Sequence, residues 1–348
     1  LWGVNPRHDR IGDVRCFPSL AHLPERPEHA VLAVGAPRIE AAFDEALAAS
    51  VRAFTIFDQC HLAGEDAPRL LDRLRAKAAR AGALACGGNG MGYFNLERGC
   101  CVGFRGPDRA APGGIAFLTH SGSVFVMAVN NDPRFRFNLA VSCGQEIAGT
   151  VADYMDYALD LPSTRVVALF IETVRDPAGF EAALARADAR GVPVVVAKTG
   201  RTPLAARFAR VHSGADAGDD AAFDALCRRH GAIRVASLDE LMAAALVLGL
   251  APPAAPGGLG MVLDSGGLRE LYTDLADELG VPLAEIGEAT RARMAAVLPP
   301  ALQADNPMDA AGPLDEGFID VARACLMAIA GDPAVGLLAA EIEARDHF

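Results

Sequence analysis

His212 is followed by Ser213-Gly214-Ala215, small residues that would let a bulky anion approach an imidazole ring. An imidazole with a bare nitrogen near neutral pH is a nucleophile, so His212 is a candidate to take up and release a group such as phosphoryl. On its own segment alone, an ordinary loop histidine is the favoured reading. Glu172 follows the apolar run VVALFI (166–171). A carboxylate at the C-terminal end of a buried strand can hold one imidazole nitrogen and leave the other free; a helix-cap or surface glutamate is the alternative. Glu146, after Gly144-Gln145, is a second candidate on the same grounds. Ser121-Gly122-Ser123 and Ser265-Gly266-Gly267 each follow an apolar run and open a helical pattern. Free main-chain N–H groups and the positive end of the helix dipole bind anions at such turns, although a tight βα connection uses the same residues. For Lys198 and Arg201, phosphate and surface carboxylates are both open as partners.

The elements that must position these residues alternate between short β runs and amphipathic helices. Residues 30–34, 53–57 and 83–86 predict strands, and 39–50 and 68–82 the helices between them. The order βαβαβ implies a parallel sheet with right-handed crossovers. Ligands then belong at the strand C-termini: Gly35-Ala36-Pro37, residues 58–64, and Gly87-Gly88-Asn89-Gly90-Met91-Gly92. After the Gly/Pro-rich stretch 105–114, strands are expected at 115–119, 139–142, 166–171, 192–197 and 233–235. The helices expected with them are 124–130, 147–159, 177–190, 220–230 and 237–248. Residues 198–219 read as a long polar loop carrying His212. After a second linker, 251–258, come a strand at 259–263, a helix at 268–279, further helical patterns at 290–298 and 316–330, and Asn306-Pro307-Met308-Asp309. Either this last unit is incomplete or it is a small three-stranded domain. Its first turn echoes that of the preceding domain, FLTHSGS against VLDSGGL. The fold class is α/β in three domains, 1–108, 109–250 and 251–348.

Composition narrows the partners. The 348 residues carry a net charge of −12, which argues against a nucleic acid or an anionic membrane surface. No apolar stretch is long enough to span a bilayer. The eight cysteines show no zinc or Cys-x-x-Cys spacing and fit a reducing cytoplasm; for Cys100-Cys101 a strand interior is favoured over a redox site. No metal site is expected. The start LWGVNPRHDR, with no methionine, suggests a fragment. No P-loop and no GxGxxG after a strand is present; an NAD-dependent enzyme would need such a fingerprint ahead of residue 1.

In order along nearly the whole chain, the residues resemble the NDP-forming acyl-CoA synthetases and, more distantly, the succinyl-CoA synthetase α subunit. Val4-Asn5-Pro6, Phe17-Pro18-Ser19-Leu20 and the Gly87 to Gly92 turn look like that family's CoA-binding domain. Thr119-His120-Ser121-Gly122 stands where the family usually has Ser-Gln-Ser-Gly. Lys198-Thr199-Gly200-Arg201 with His212-Ser213-Gly214-Ala215 and Ala217-Gly218 resembles its phosphohistidine signature, the most specific match. The resemblance implies a Rossmann-like CoA-binding domain followed by two flavodoxin-like doubly wound domains. It implies CoA bound near Val4, Asn5, Pro6, Gly35, Ala36, Pro37, Asn89 and Gly90. His212 would carry phosphoryl, Glu172 would orient it, and the turns at Ser121-Gly122-Ser123 and Ser265-Gly266-Gly267, with Gly214, would hold the phosphate. The nucleotide (NTP/NDP with Mg) would be handled by an ATP-grasp domain or subunit, in a homo- or hetero-oligomer. The departures are Val211, Ser213 and Asp216 around the histidine, His120 for Gln, and Gly88 and Gly90 for Pro and Cys. The absence of an ATP-grasp region from these residues keeps a second function open: a non-catalytic module that senses CoA or acyl-CoA.

Overall fold

The apolar runs expected to be strands are strands. The computed structural model describes residues 1–104, 111–213, 218–250, 254–310 and 318–341, and they form two units, Leu1–Leu250 and Ala251–Phe348.

In the first unit, β1 (Gly3–Val4), β2 (Arg10–Ile11) and β3 (Val14–Phe17) make a small sheet. The parallel sheet β4 (His29–Leu32), β5 (Ala53–Ile56) and β6 (Leu84–Gly87) follows, with α1 (Ala36–Ala48) and α2 (Leu70–Ala81) as its crossovers. Ile39, Phe43 and Ala46 of α1 and Leu70, Leu74 and Ala78 of α2 are buried, the i, i+4 stripe of helices lying on a sheet. Gly82 ends α2 in the left-handed conformation, φ 60°, which glycine adopts without a Cβ clash. α1 starts earlier than expected: Gly35 is its N-cap, and Ala36 and Pro37 form its first turn, where proline's missing N–H costs nothing.

The hairpin β7 (Gly92–Asn95) and β8 (Cys100–Gly103), which lies before residue 108, pairs into the next sheet rather than this one. Cys100 and Cys101 therefore sit exposed on an edge strand, not in a strand interior. That sheet continues through β9 (Ile115–Thr119), β10 (Phe137–Ser142), β11 (Val166–Ile171), β12 (Val194–Lys198) and β13 (Ile233–Arg234). Its strand order is β13-β12-β11-β9-β10-β7-β8. The five parallel strands thus have the flavodoxin-like order 2-1-3-4-5, with the switch point between β9 and β11. The helices are α3 (Gly122–Asn131), α4 (Val151–Asp160), α5 (Pro177–Ala189), α6 (Pro203–Ser213), α7 (Asp220–Arg229) and α8 (Leu238–Leu250). β9, β11 and β12 are buried along their whole length or nearly so, as a parallel sheet covered on both faces requires.

Two expectations change here. α4 begins at Val151, not 147, because Thr150 and Asp153 form a reciprocal capping box. The segment read as a loop from 198 to 219 contains α6, which includes the backbone of His212. Thr202 Oγ1 accepts from the Ala205 N–H at 3.2 Å, Pro203 occupies the first turn, and LAAR supplies strong helix formers.

The second unit has a three-stranded parallel sheet, β14 (Gly258–Leu263) between β15 (Met308–Asp309) and β16 (Val335–Glu341), with α9 (Gly266–Glu278), α10 (Glu288–Ala295) and α11 (Phe318–Ala330). Its core gathers Val262, Ile286, Met294, Met308, Cys325 and Ile329. The strand β16 has no counterpart in the sequence reading.

Candidate phosphoryl-transfer site

β9 runs straight into the first turn of α3. His120 prolongs the strand by one residue, its N–H donating to Phe170 O at 3.1 Å. Thr119 Oγ1 then accepts from the Ser121 N–H at 3.0 Å, and Ser121 Oγ accepts from the Val124 N–H at 3.3 Å. This caps α3 and leaves the Gly122 and Ser123 amides in the first turn, where a helix has no internal partners for them. Ser123 is exposed and Gly122 half-buried, so an anion can reach both.

Across the switch point lies the end of β11. Glu172 is buried, and its N–H donates to His120 Nδ1 at 3.1 Å. On the other side of the ring, His120 Nε2 is 3.2 Å from Glu146 Oε1, close but without the alignment of a hydrogen bond. Glu146 is buried and held at φ 52°. Its Oε1 accepts from the Val151 N–H at 2.5 Å, the N-terminus of α4, and its Oε2 is 3.2 Å from Arg175 Nε.

The turn after β6 docks against this region. Gln145 N–H donates to Gly88 O at 2.7 Å, Ile147 N–H to Gly87 O at 2.9 Å, and Asn89 N–H to Asp58 O at 2.8 Å. A Cβ on Gly88 would stand 2.7 Å from Asp58 O, and one on Gly90 2.8 Å from Ser142 O; only glycine fits either place. Met91 of the same turn lies against Gly122, 3.0 Å from where a Cβ would be. Ser142 Oγ and Gln145 Oε1, buried beside the turn, have no hydrogen-bond partner among the described residues. Burial pushes the nearby thiols up, Cys60 to about 12 and Cys86 to about 11, so these cysteines are not thiolate nucleophiles. Beyond Met91 a pocket of about 220 Å³ is lined by Phe104, Phe125, Val126, Val129 and Asn130.

Residues 1–91 match the CoA-binding domain family, and residues 112–248 match the succinyl-CoA ligase-like flavodoxin domain family. The chain carries a CoA-binding domain followed by a succinyl-CoA-ligase-like flavodoxin domain, and ADP-forming acid–CoA ligases are among its relatives. It is 32% identical over 318 residues to acetate–CoA ligase [ADP-forming] I of Archaeoglobus fulgidus, covering 90% of this chain and 45% of that one. It is 30% identical over 354 residues to a trans-feruloyl-CoA synthase from an unknown prokaryotic organism, covering 99% of this chain and 50% of that one. The chain therefore spans about half the length of these relatives. Its fold matches the dinucleotide forming acetyl-coenzyme A synthetase 1 of Ca. Korarchaeum cryptofilum, solved in complex with phosphate and ADP. The TM-score is 0.86 at 22% identity, over 97% of this chain and 73% of that one.

The fold brings Ser121, Gly122, Ser123, Glu172 and the Asn89-Gly90 turn to one edge of the first unit. His212 is placed by its backbone in α6; its side chain, and Gly214, lie outside the described residues. Lys198, at the end of β12, is buried with its ammonium 5.6 Å from the Phe223 ring centre. Burial pulls its pKa down, with Arg234 and Arg201 adding to the effect and Asp220 opposing it. Arg201 is turned to Asp220, 3.5 Å away. Val4, Asn5 and Pro6 stand at the end of β1, where Asn5 Oδ1 accepts from the Arg7 and His8 N–H groups. In the second unit, Ser265 is the N-cap of α9 without a side-chain cap bond, and a Cβ on Gly266 would lie 3.0 Å from Asp309 Oδ2. Asn306 braces that sheet, accepting from the Met261 N–H and donating to Leu259 O and Ala284 O at 2.8–2.9 Å.

His120 is the residue the sequence reading did not place in a role. Its partners are 26 and 52 positions away, so no local spacing exposes them; the available signal was a histidine immediately before an anion-binding turn.

Among the described residues no cluster of three or more His, Cys, Asp or Glu could hold a metal, and no helix is long and apolar enough to cross a membrane.

Proposed function

We propose that the chain is the CoA-binding and phosphohistidine portion of an NDP-forming acyl-CoA synthetase. The observation that carries this reading is the contact of Met91 with Gly122, which sets the CoA-side turn directly against an open helix N-terminus. A thioester at the first would have its carbonyl beside a phosphate held at the second. A phosphate oxygen attacks that carbonyl, the C–S bond breaks, CoA leaves as its thiol after taking a proton, and acyl phosphate remains. The His212 nitrogen then attacks phosphorus, the P–O bond to the acyl group breaks, and the carboxylate departs. Glu172 would orient His212 and counter the charge that develops on its ring. Gly122 and Ser123 would bind the phosphate by the open amides of the first helical turn and Ser121 by its hydroxyl proton, the preorganised electrostatics that phosphoryl transfer needs most. Gly214 would add an amide beside His212, and the turn Ser265-Gly266-Gly267 would offer anion-binding amides within its own unit.

CoA would run past Val4, Asn5 and Pro6, the N-cap at Gly35 with Ala36 and Pro37, and the turn at Asn89 and Gly90. The unpartnered Ser142 Oγ and Gln145 Oε1 support a polar ligand beside that turn, since buried polar atoms otherwise find partners. Transfer from phospho-His212 to NDP would need an ATP-grasp domain or subunit with Mg, probed by pairing the chain with one. The relatives reported are ligases or synthases by name, and nothing in the site favours a purely sensing role.

Hydroxylamine trapping tests the first half-reaction. The chain with acetyl-CoA is expected to give acetyl hydroxamate at a rate that rises with phosphate and falls at least tenfold in a Gly122→Val variant. A protein that binds CoA but gives no phosphate-dependent hydroxamate is a sensing module, and the proposal fails.

A further inference from the structure

We infer that His120 is the positioning residue of the site, fixing the main chain of Glu172 through a ring whose single proton sits on Nε2. The inference rests on the reading that Glu172 orients His212. A main-chain N–H can only donate, so the 3.1 Å contact from Glu172 N requires a bare Nδ1. The ring proton is then on Nε2, facing the Glu146 carboxylate 3.2 Å away. A second proton on Nδ1 would set N–H against N–H.

The contact spans the switch point of the sheet, joining the end of β9 to the end of β11 at the place where doubly wound folds bind ligands. It is doubly anchored. The His120 main chain is tied to Phe170 O, and the Glu146 carboxylate behind the ring is shared with the α4 N-terminus and Arg175. Glu146 accepts a left-handed backbone, uncommon for a residue with a Cβ, while its side chain is fully buried. Residues held in sparsely populated backbone regions cluster at sites where the surroundings enforce the geometry. One histidine thus links the Ser121 turn, which follows it directly, to Glu172. The two anion-handling parts of the first unit cannot shift independently.

A side chain can replace His120 only if it offers an acceptor toward Glu172 and a donor toward Glu146 at similar reach. Glutamine does so with its amide; methionine fills the space but takes away the acceptor that faces the Glu172 N–H. The test uses the protein with acetyl phosphate as phosphoryl donor, in single turnovers, with CoA affinity measured alongside. H120Q is expected to form phosphohistidine within about threefold of the parent. H120M is expected to fall about a hundredfold, the effect of a misplacement near 1 Å, with its CoA dissociation constant moved less than about threefold. Phosphorylation of H120M at the parental rate, or H120Q falling as far as H120M, overturns the inference. So does a loss of CoA binding in H120M that matches the loss of rate, which would mark a general collapse.

A second measurement does not depend on activity. Long-range ¹H–¹⁵N spectra of protein labelled in the histidine rings, with His120 assigned by its absence in H120Q, are expected to show the Nε2–H tautomer at pH 7. A proton on Nδ1 overturns the inference. If the parent takes no label from acetyl phosphate, the phosphoryl-transfer reading fails by itself, and the tautomer still decides the His120–Glu172 bond.

Discussion

The two units each build a strand–turn–helix from nearly the same residues, and they secure it differently. In the first, the turn at Ser121-Gly122-Ser123 is held from behind: Ser121 caps its own helix, the His120 ring accepts from the Glu172 N–H at the end of β11, and Glu146 beside that ring accepts from the α4 N-terminus. In the second, Ser265 makes no side-chain cap, and the bracing comes from Asn306, which bonds three main-chain groups around β14. The motif alone therefore specifies a helix N-terminus, not its rigidity. Rigidity comes from buried polar groups supplied by neighbouring elements.

The contrast gives a ranked set of tests. Glu146→Ala removes a buried carboxylate from between Arg175, His120 and the α4 amide, and is expected to destabilise the first unit by about 3–5 kcal/mol. Urea unfolding followed by probes in each unit checks it, and an unfolding midpoint unchanged in the first unit breaks the comparison. Asn306→Ala strips three hydrogen bonds and is expected to cost the second unit about 2–3 kcal/mol, with the first unit unaffected. Gly88→Ala forces a Cβ to 2.7 Å from Asp58 O. It is expected to cost about 1–3 kcal/mol and to weaken CoA binding measured by calorimetry; an alanine tolerated on both counts would show the turn is not tightly packed. The finest comparison is Ser121→Ala against Ser265→Ala. The first loses a cap, about 1 kcal/mol, and the second loses no cap bond and should stay within about 0.5 kcal/mol. Equal losses would erase the difference drawn between the two turns.

The sheets were legible because buried parallel strands are near-continuous apolar runs, as VVALFI and VVVAK show. The two helix-opening turns were legible from serine and glycine at strand ends. What escaped needed non-local information. The hairpin at 92–103 carries strand patterning too short to show which sheet it joins, and β16 alternates too weakly to stand out. α6 was hidden behind Gly200 and the phosphohistidine-like signature, although Thr202-Pro203 ahead of an alanine-rich run is an ordinary helix start. Glu146 was named as a candidate by its position after a strand. His120 registered only as a departure from glutamine, because a histidine's role follows from what faces each ring nitrogen, and those partners come from β11 and the start of α4.

The central claim is that His212 carries phosphoryl between an acyl group and a nucleotide. The direct measurement is incubation with acetyl-CoA and ³²P-labelled phosphate, followed by acid and base treatment and mass spectrometric mapping of the label. The account predicts label that survives base, is lost in acid, maps to His212 and vanishes in His212→Ala while CoA still binds. Label that persists in His212→Ala, or a parent protein that binds CoA and takes none, would contradict it.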